Sequence, residues 1–164
     1  MIAAELEKRI CAALRTALEQ VRTARRPLVR GRWRDAADCK RGPELQPVGT
    51  LAEVDVGLPA YERFMLDKAT VAVRVTTRFS NASAGAAATT VIPVTEAVCG
   101  LLDAWQTDGE RLEADLGVEG FRPFALRATG GTAPTEEENW TSVAHDFTVT
   151  GVVARGGNQD EERN

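Results

Sequence analysis

The chain has 164 residues, 43% of them hydrophobic and 27% charged, enough for one domain with a sizeable core and ordinary for a globular protein. A formal net charge of −4 runs against general nucleic-acid binding, and no apolar run approaches the roughly 20 residues that a membrane span needs. Cys11, Cys39 and Cys99 lack CxxC spacing, which argues against a disulfide framework, and Glu5, Glu7, Lys8 and Arg9 stand where a secretion signal needs its apolar run, so the expected product is soluble and made in the cytoplasm.

From Ile2 to about Thr23 the chain reads as an amphipathic helix. Leu6, Ile10, Ala13, Leu14, Ala17, Leu18 and Val21 recur at three- and four-residue steps, and Glu5, Lys8, Arg9, Arg15 and Glu19 mark a polar side. Pro27 lies at or beyond its stop. Leu28–Trp33 suggests a short strand, and Gly42, Pro43 and Pro47 punctuate a long charged loop that runs to Pro47. Val48–Leu58 alternates with period two and is closed by Pro59. Ala69–Phe79 alternates most clearly of all, with Val71, Val73, Val75 and Phe79 on one parity and Thr70, Arg74, Thr76 and Arg78 on the other. The link between these two strands is too short for a crossover helix, which predicts an antiparallel pair.

Thr90–Trp105 reads as a second helix, with Pro93 in its first turn and Val91, Val94, Val98, Leu101, Leu102 and Trp105 as its apolar stripe. Asp108-Gly109 breaks it, and Glu110–Leu116 is ambiguous. Phe121–Thr129 and Ser142–Ala154 read as a final strand pair, joined by a long polar hairpin connection over residues 130–139. Gly156 onward is a polar tail with the composition of a disordered segment. The expected architecture is α+β: one domain over residues 1–155, with a single, mainly antiparallel sheet of about four strands and two helices packed on one face.

Candidate chemistry is sparse. His145 is the only histidine and shares the parity of Val143 and Phe147, a position that is more often structural than catalytic. Cys11, Cys39, Cys99 and His145 lack the close spacing of a structural zinc site. Gly130-Gly131-Thr132 lacks the Gly-Lys-Ser/Thr ending of a phosphate loop and suits a turn better. No catalytic residue, cofactor site or metal site is expected, nor is an enzyme.

Charge is the stronger signal. Between Arg22 and Arg41, eight basic residues face two acidic ones, while acids gather at Glu136–Glu138 and Asp160–Glu162. Such asymmetry binds a polyanion or fits one face of a protomer to the opposite face of its neighbour. Arg30, Arg32 and Arg34 have only Trp33 as an aromatic companion, which is poor for a base-stacking platform.

The order of elements resembles the tail terminator (tail-completion) proteins of long-tailed phages and prophages. The match comprises the opening helix Leu6-Glu7-Lys8-Arg9-Ile10-Cys11-Ala12-Ala13-Leu14, a charged loop leading into Ala52–Leu58, the strand Val71–Phe79, the helix Val94–Trp105, and the pair Phe121–Ala128 and His145–Val153. The loops at Leu28–Pro47 and Gly130–Asn139 are longer than that pattern requires. The resemblance implies a homo-oligomeric ring, usually a hexamer, located in the virion tail or neck. Such a ring caps the tail tube and offers a surface to the head-side connector or neck protein, with no membrane partner and nucleic acid only as DNA passing through the lumen. The expected contacts are Arg25, Arg26, Arg30, Arg32, Arg34, Arg74, Arg78, Glu136, Glu137 and Glu138. Exposed sheet edges add a second means of pairing, since neither long alternating strand carries a proline in its middle. The alternatives are another neck or head-tail joining protein, or a small binding module whose segment 22–41 contacts nucleic acid.

Overall fold

The computed structural model describes residues 1–22, 24, 27–31, 33, 50–62, 67–80, 90–136 and 140–154. Among them the chain runs α1 (Ile2–Glu19), β1 (Leu28–Gly31), β2 (Thr50–Val56), β3 (Ala60–Tyr61), β4 (Lys68–Ser80), α2 (Ile92–Thr107), α3 (Gly109–Leu116), β5 (Phe121–Glu136) and β6 (Trp140–Val153). The strands form one six-stranded sheet in the order β1-β2-β4-β6-β5, with β3 added on β4.

The alternation in β4 decides the layering. Ala69, Val71, Val73, Val75 and Phe79 are all at most 3% exposed, and each fully buried valine contributes about 1.5–3 kcal/mol. The register places Val54 and Val56 of β2 and Val143, Phe147 and Val149 of β6 on the same face. The apolar stripe of α1 (Ala3, Leu6, Ile10, Leu14, Leu18) and that of α2 (Val94, Val98, Leu101, Leu102, Trp105) close one core over that face. The helix α1 packs against β1 and β2, while α2 and α3 pack against β5. The opposite face of the sheet carries no helix among the described residues.

The α+β class, the antiparallel β2–β4 pair and the final β5–β6 pair agree with expectation. The details differ in three ways. The sheet has six strands rather than about four, because Leu28–Gly31 pairs with β2, in parallel, and Ala60–Tyr61 adds to β4. A third helix, α3, occupies the ambiguous stretch. It forms because Asp108, after ending α2, accepts hydrogen bonds from the N–H groups of Glu110 (3.1 Å) and Arg111 (3.2 Å) and so caps a new helix. Trp105 Nε1 then donates to Asp115 Oδ2 at 2.7 Å, fastening α2 to α3.

The third difference is the stretch expected to be a long hairpin connection. Residues 130–136 are strand, and β5 follows β6 through to the Glu136↔Thr141 pair. The ladder continues through glycines and proline because it is irregular, with register shifts at Pro123/Ala125, Ala128/Gly130 and Thr132/Thr135. Gly131, at φ +152°, lies where a Cβ would overlap the Ala144 carbonyl. Only glycine fits there.

Candidate interaction surface

On the open face, side chains in register form rows across the strands. One row is Asp55, Arg74 and Asp146, on β2, β4 and β6. Arg74 donates from Nε to Asp146 Oδ1 (2.7 Å) and from Nη2 to Oδ2 (2.9 Å), a two-pronged pair. The hydrogen bond from Arg74 holds the Asp146 carboxyl below its ordinary range, and the same bond raises the guanidinium. Both groups are wet, so the pair orients side chains more than it stabilises the fold.

A second cluster centres on Glu53. Its Oε2 accepts from Arg30 Nη2 at 3.1 Å, and its Oε1 lies 3.0 Å from Arg78 Nη1. This carboxylate therefore ties β1, β2 and β4 together. Towards the other end of β4, the Thr70 and Thr150 hydroxyls share a hydrogen bond at 3.0 Å. A shallow depression of about 550 Å³ lies beside the Arg74 row, over the small residues Gly57 and Ala72. Arg30, Arg74 and Arg78 are thus each committed to a carboxylate of their own chain.

The two sheet edges differ. At the β1 edge, α1 reaches across. Arg15 Nη2 donates to the Val29 carbonyl at 3.4 Å, and the Trp33 N–H donates to Glu7 Oε2 at 2.6 Å. Trp33 Nε1 also donates to the Val56 carbonyl at 2.7 Å. Glu7 is fully buried, and it fits because position 31 is glycine: a Cβ there would fall inside its carboxyl group. At the β5 edge, Pro123 and Pro134 remove donors and the three register shifts bend the strand. The expectation that the long alternating strands serve as pairing edges is therefore corrected. Those strands are β2 and β4, which like β6 are interior and paired on both sides. The real edges are blunted, one by helix side chains and the other by proline and bulges.

Of the candidate contacts, Arg30, Arg74, Arg78 and Glu136 fall among the described residues, while Arg25, Arg26, Arg32, Arg34, Glu137 and Glu138 lie outside them. The sheet order sets Arg30 and Glu136 on opposite edge strands. They are four strand spacings apart, about 19 Å. It does not bring either to Arg74.

His145 sits between Val75 and Gly131. Its Nε2 is buried with no hydrogen-bond partner among the described residues. Burial pushes its pKa down, against the opposing pull of Asp146. Cys11 is buried in α1, Cys99 is exposed on α2, and Cys39 lies outside the described residues. Among the described residues no group of three or more histidine, cysteine or acidic side chains is placed to hold a metal ion, and no helix is long and apolar enough to cross a membrane.

Glu7 is the side chain that sequence reasoning missed. The signal was present, because Glu7 stands at three- and four-residue steps from Ala3, Ile10 and Cys11, on the apolar stripe. Comparison of the chain with family models and with curated proteins finds no match, so the functional reading rests on these surfaces.

Proposed function

We propose that the chain is a structural subunit of a phage or prophage tail, a terminator or tail-completion factor without catalytic activity. Copies join head to tail into a ring, a hexamer, that caps the tail tube and meets the head-side connector, with DNA passing only through the lumen. The observation that carries this reading is the lateral charge asymmetry. Arg30 lies on one edge strand, in the chain's basic segment, and Glu136 lies at the end of the other, followed in sequence by Glu137 and Glu138. A heterologous contact between unlike patches closes into a ring when the rotation permits. The blunted edges support a contact made through side chains rather than through a sheet continued between copies.

The open face supports the same reading. Strands built to hold phosphates keep their guanidinium groups free, whereas on β4, at the centre of this face, Arg74 and Arg78 are neutralised by Asp146 and Glu53. Such a face suits a lumen past which DNA slides, or contact with a neighbouring ring. The test is native mass in solution, together with ring-shaped particles in negative stain and their capture at the ends of tail tubes. A chain that stays monomeric beside tail tubes sinks the proposal. Steep salt-dependent DNA binding by the isolated protein selects the nucleic-acid module instead.

A further inference from the structure

Two guanidinium groups on the open face differ from the rest. Arg122 and Arg127 of β5 are exposed and have no carboxylate partner among the described residues, whereas Arg30, Arg74 and Arg78 all have one. Their register partners are Val152 and Thr148 of β6, which pair in turn with Lys68 and Ala72 of β4, so both arginines belong to the open face. Between them, at the Pro123/Ala125 bulge, stands Phe124, 49% exposed, with Val152 exposed beside the row. Lys68 Nζ lies 5.7 Å from the centre of the Phe124 ring and is itself paired with Glu62 at 2.9 Å. The result is an exposed apolar centre with an unpaired arginine on either side, a pattern that fits an extended acidic segment.

The chain carries such a segment close by. The Ala154 N–H donates to the Gly120 carbonyl at 3.0 Å, so the chain leaves β6 beside the residue before β5, two positions from Arg122. Asp160-Glu161-Glu162 follow six to eight residues later. An extended stretch of that length spans about 20–27 Å, and five residues of β5 span about 17 Å. Both arginines are within reach.

We propose that Arg122, Phe124 and Arg127 form a docking surface for the chain's own acidic segment Asp160–Glu162, which lies along β5 as an intramolecular strap. The strap neutralises the free guanidinium groups and covers the Phe124 ring. It thereby keeps this part of the open face from promiscuous contact with other acidic surfaces. The contact does not depend on the chain's forming a ring.

The test is trypsin cleavage after Arg155, followed by mass spectrometry on the full chain at low salt. Three variants are compared with the original chain: the patch variant Arg122→Gln with Arg127→Gln, the tail variant Asp160→Asn with Glu161→Gln and Glu162→Gln, and their combination. Either variant should speed cleavage about threefold to tenfold, the range that two exposed ion pairs supply. The combination should be no faster than either alone, and salt near 0.5 M should abolish the differences. The tail variant changes no residue of the sheet, so its effect does not come from misfolding, while the patch variant leaves the segment around the cleaved bond untouched. Unchanged cleavage in the patch variant overturns the proposal. Protection that rises with protein concentration also overturns the intramolecular strap and assigns the contact to the tail of a neighbouring copy.

Discussion

Glu7 and Gly31 are a matched pair. A carboxyl group at 0% exposure in a helix interior is costly unless it is hydrogen-bonded, and Glu7 meets that demand by taking the Trp33 N–H. The contact also marks the end of β1. Adding one methyl group, by Gly31→Ala, forces the carboxyl out of its place. The expected loss is about 2–3 kcal/mol in urea unfolding, the worth of a buried bond to a charged group plus some strain. A second-site Glu7→Ala change, which makes room for the new methyl, should add little further loss. Full additivity of the two changes would show that they do not act through one contact.

His145 supplies a pH dependence with a definite sign. Burial lowers its pKa below the ordinary value near 6.5, so the folded protein binds that proton less readily than the unfolded chain does. Its contribution is therefore fully present above about pH 6.5 and is lost as pH falls through that value towards the lower folded pKa. His145→Gln should flatten the fall in the urea midpoint between about pH 7.5 and about pH 5.5. Asp146 works in the same sense but at lower pH. Its carboxyl is held low by Arg74, so its share persists in this window and is lost only as pH falls through its depressed folded pKa. An unaltered slope in His145→Gln would assign the dependence to other groups.

At the scale of elements, legibility followed how much of the needed information was local. The helix α1 and the strand β4 are strongly periodic: β4 lies within one residue of its reading at each end, and α1 is helical as read but stops at Glu19 rather than about Thr23. The helix α3 was obscured because eight residues give barely two turns, and its existence depends on the Asp108 cap and on Trp105 reaching Asp115. Asp108→Ala should cost about 1 kcal/mol in thermal or urea unfolding. The loss should fall on α3, seen as faster amide hydrogen exchange there than in β4; uniform acceleration would place the cap's effect elsewhere. The distal half of β5 was hidden for the opposite reason. Gly130, Gly131 and Pro134 are turn formers by local preference, and only pairing with an already anchored β6 carries them as strand. The short strands β1 and β3 likewise depend on non-local partners. In the candidate surface, the candidate residues Arg74 and Arg78 were visible as the polar parity of β4, but their partners Asp146 and Glu53 emerge only from register.

For the whole molecule, the proposed ring rests on the sheet order that sets Arg30 and Glu136 on opposite edge strands. Had β1 and β5 been neighbours, the two would neutralise each other within one chain and leave nothing for a second copy. Reversing Arg30, Arg32 and Arg34 to glutamate should therefore weaken association between copies at least about tenfold, because like charges then face each other across the contact. At position 30 the change also breaks the pair with Glu53, so Arg30→Gln alone, with its melting point, measures the local cost. Reversing Glu136, Glu137 and Glu138 to arginine should weaken association by a similar factor. Combining both reversals should restore it, since an attractive pair with its signs exchanged is still attractive. Native mass spectrometry at low and moderate salt reads all four proteins, and the defects should shrink as salt rises. Rescue distinguishes a direct edge-to-edge contact from general damage, because a misfolded subunit gains nothing from a second set of substitutions on the far side of the sheet. If each reversal left the oligomer unchanged, the lateral charges would be ordinary solvated surface and the ring would need another seam.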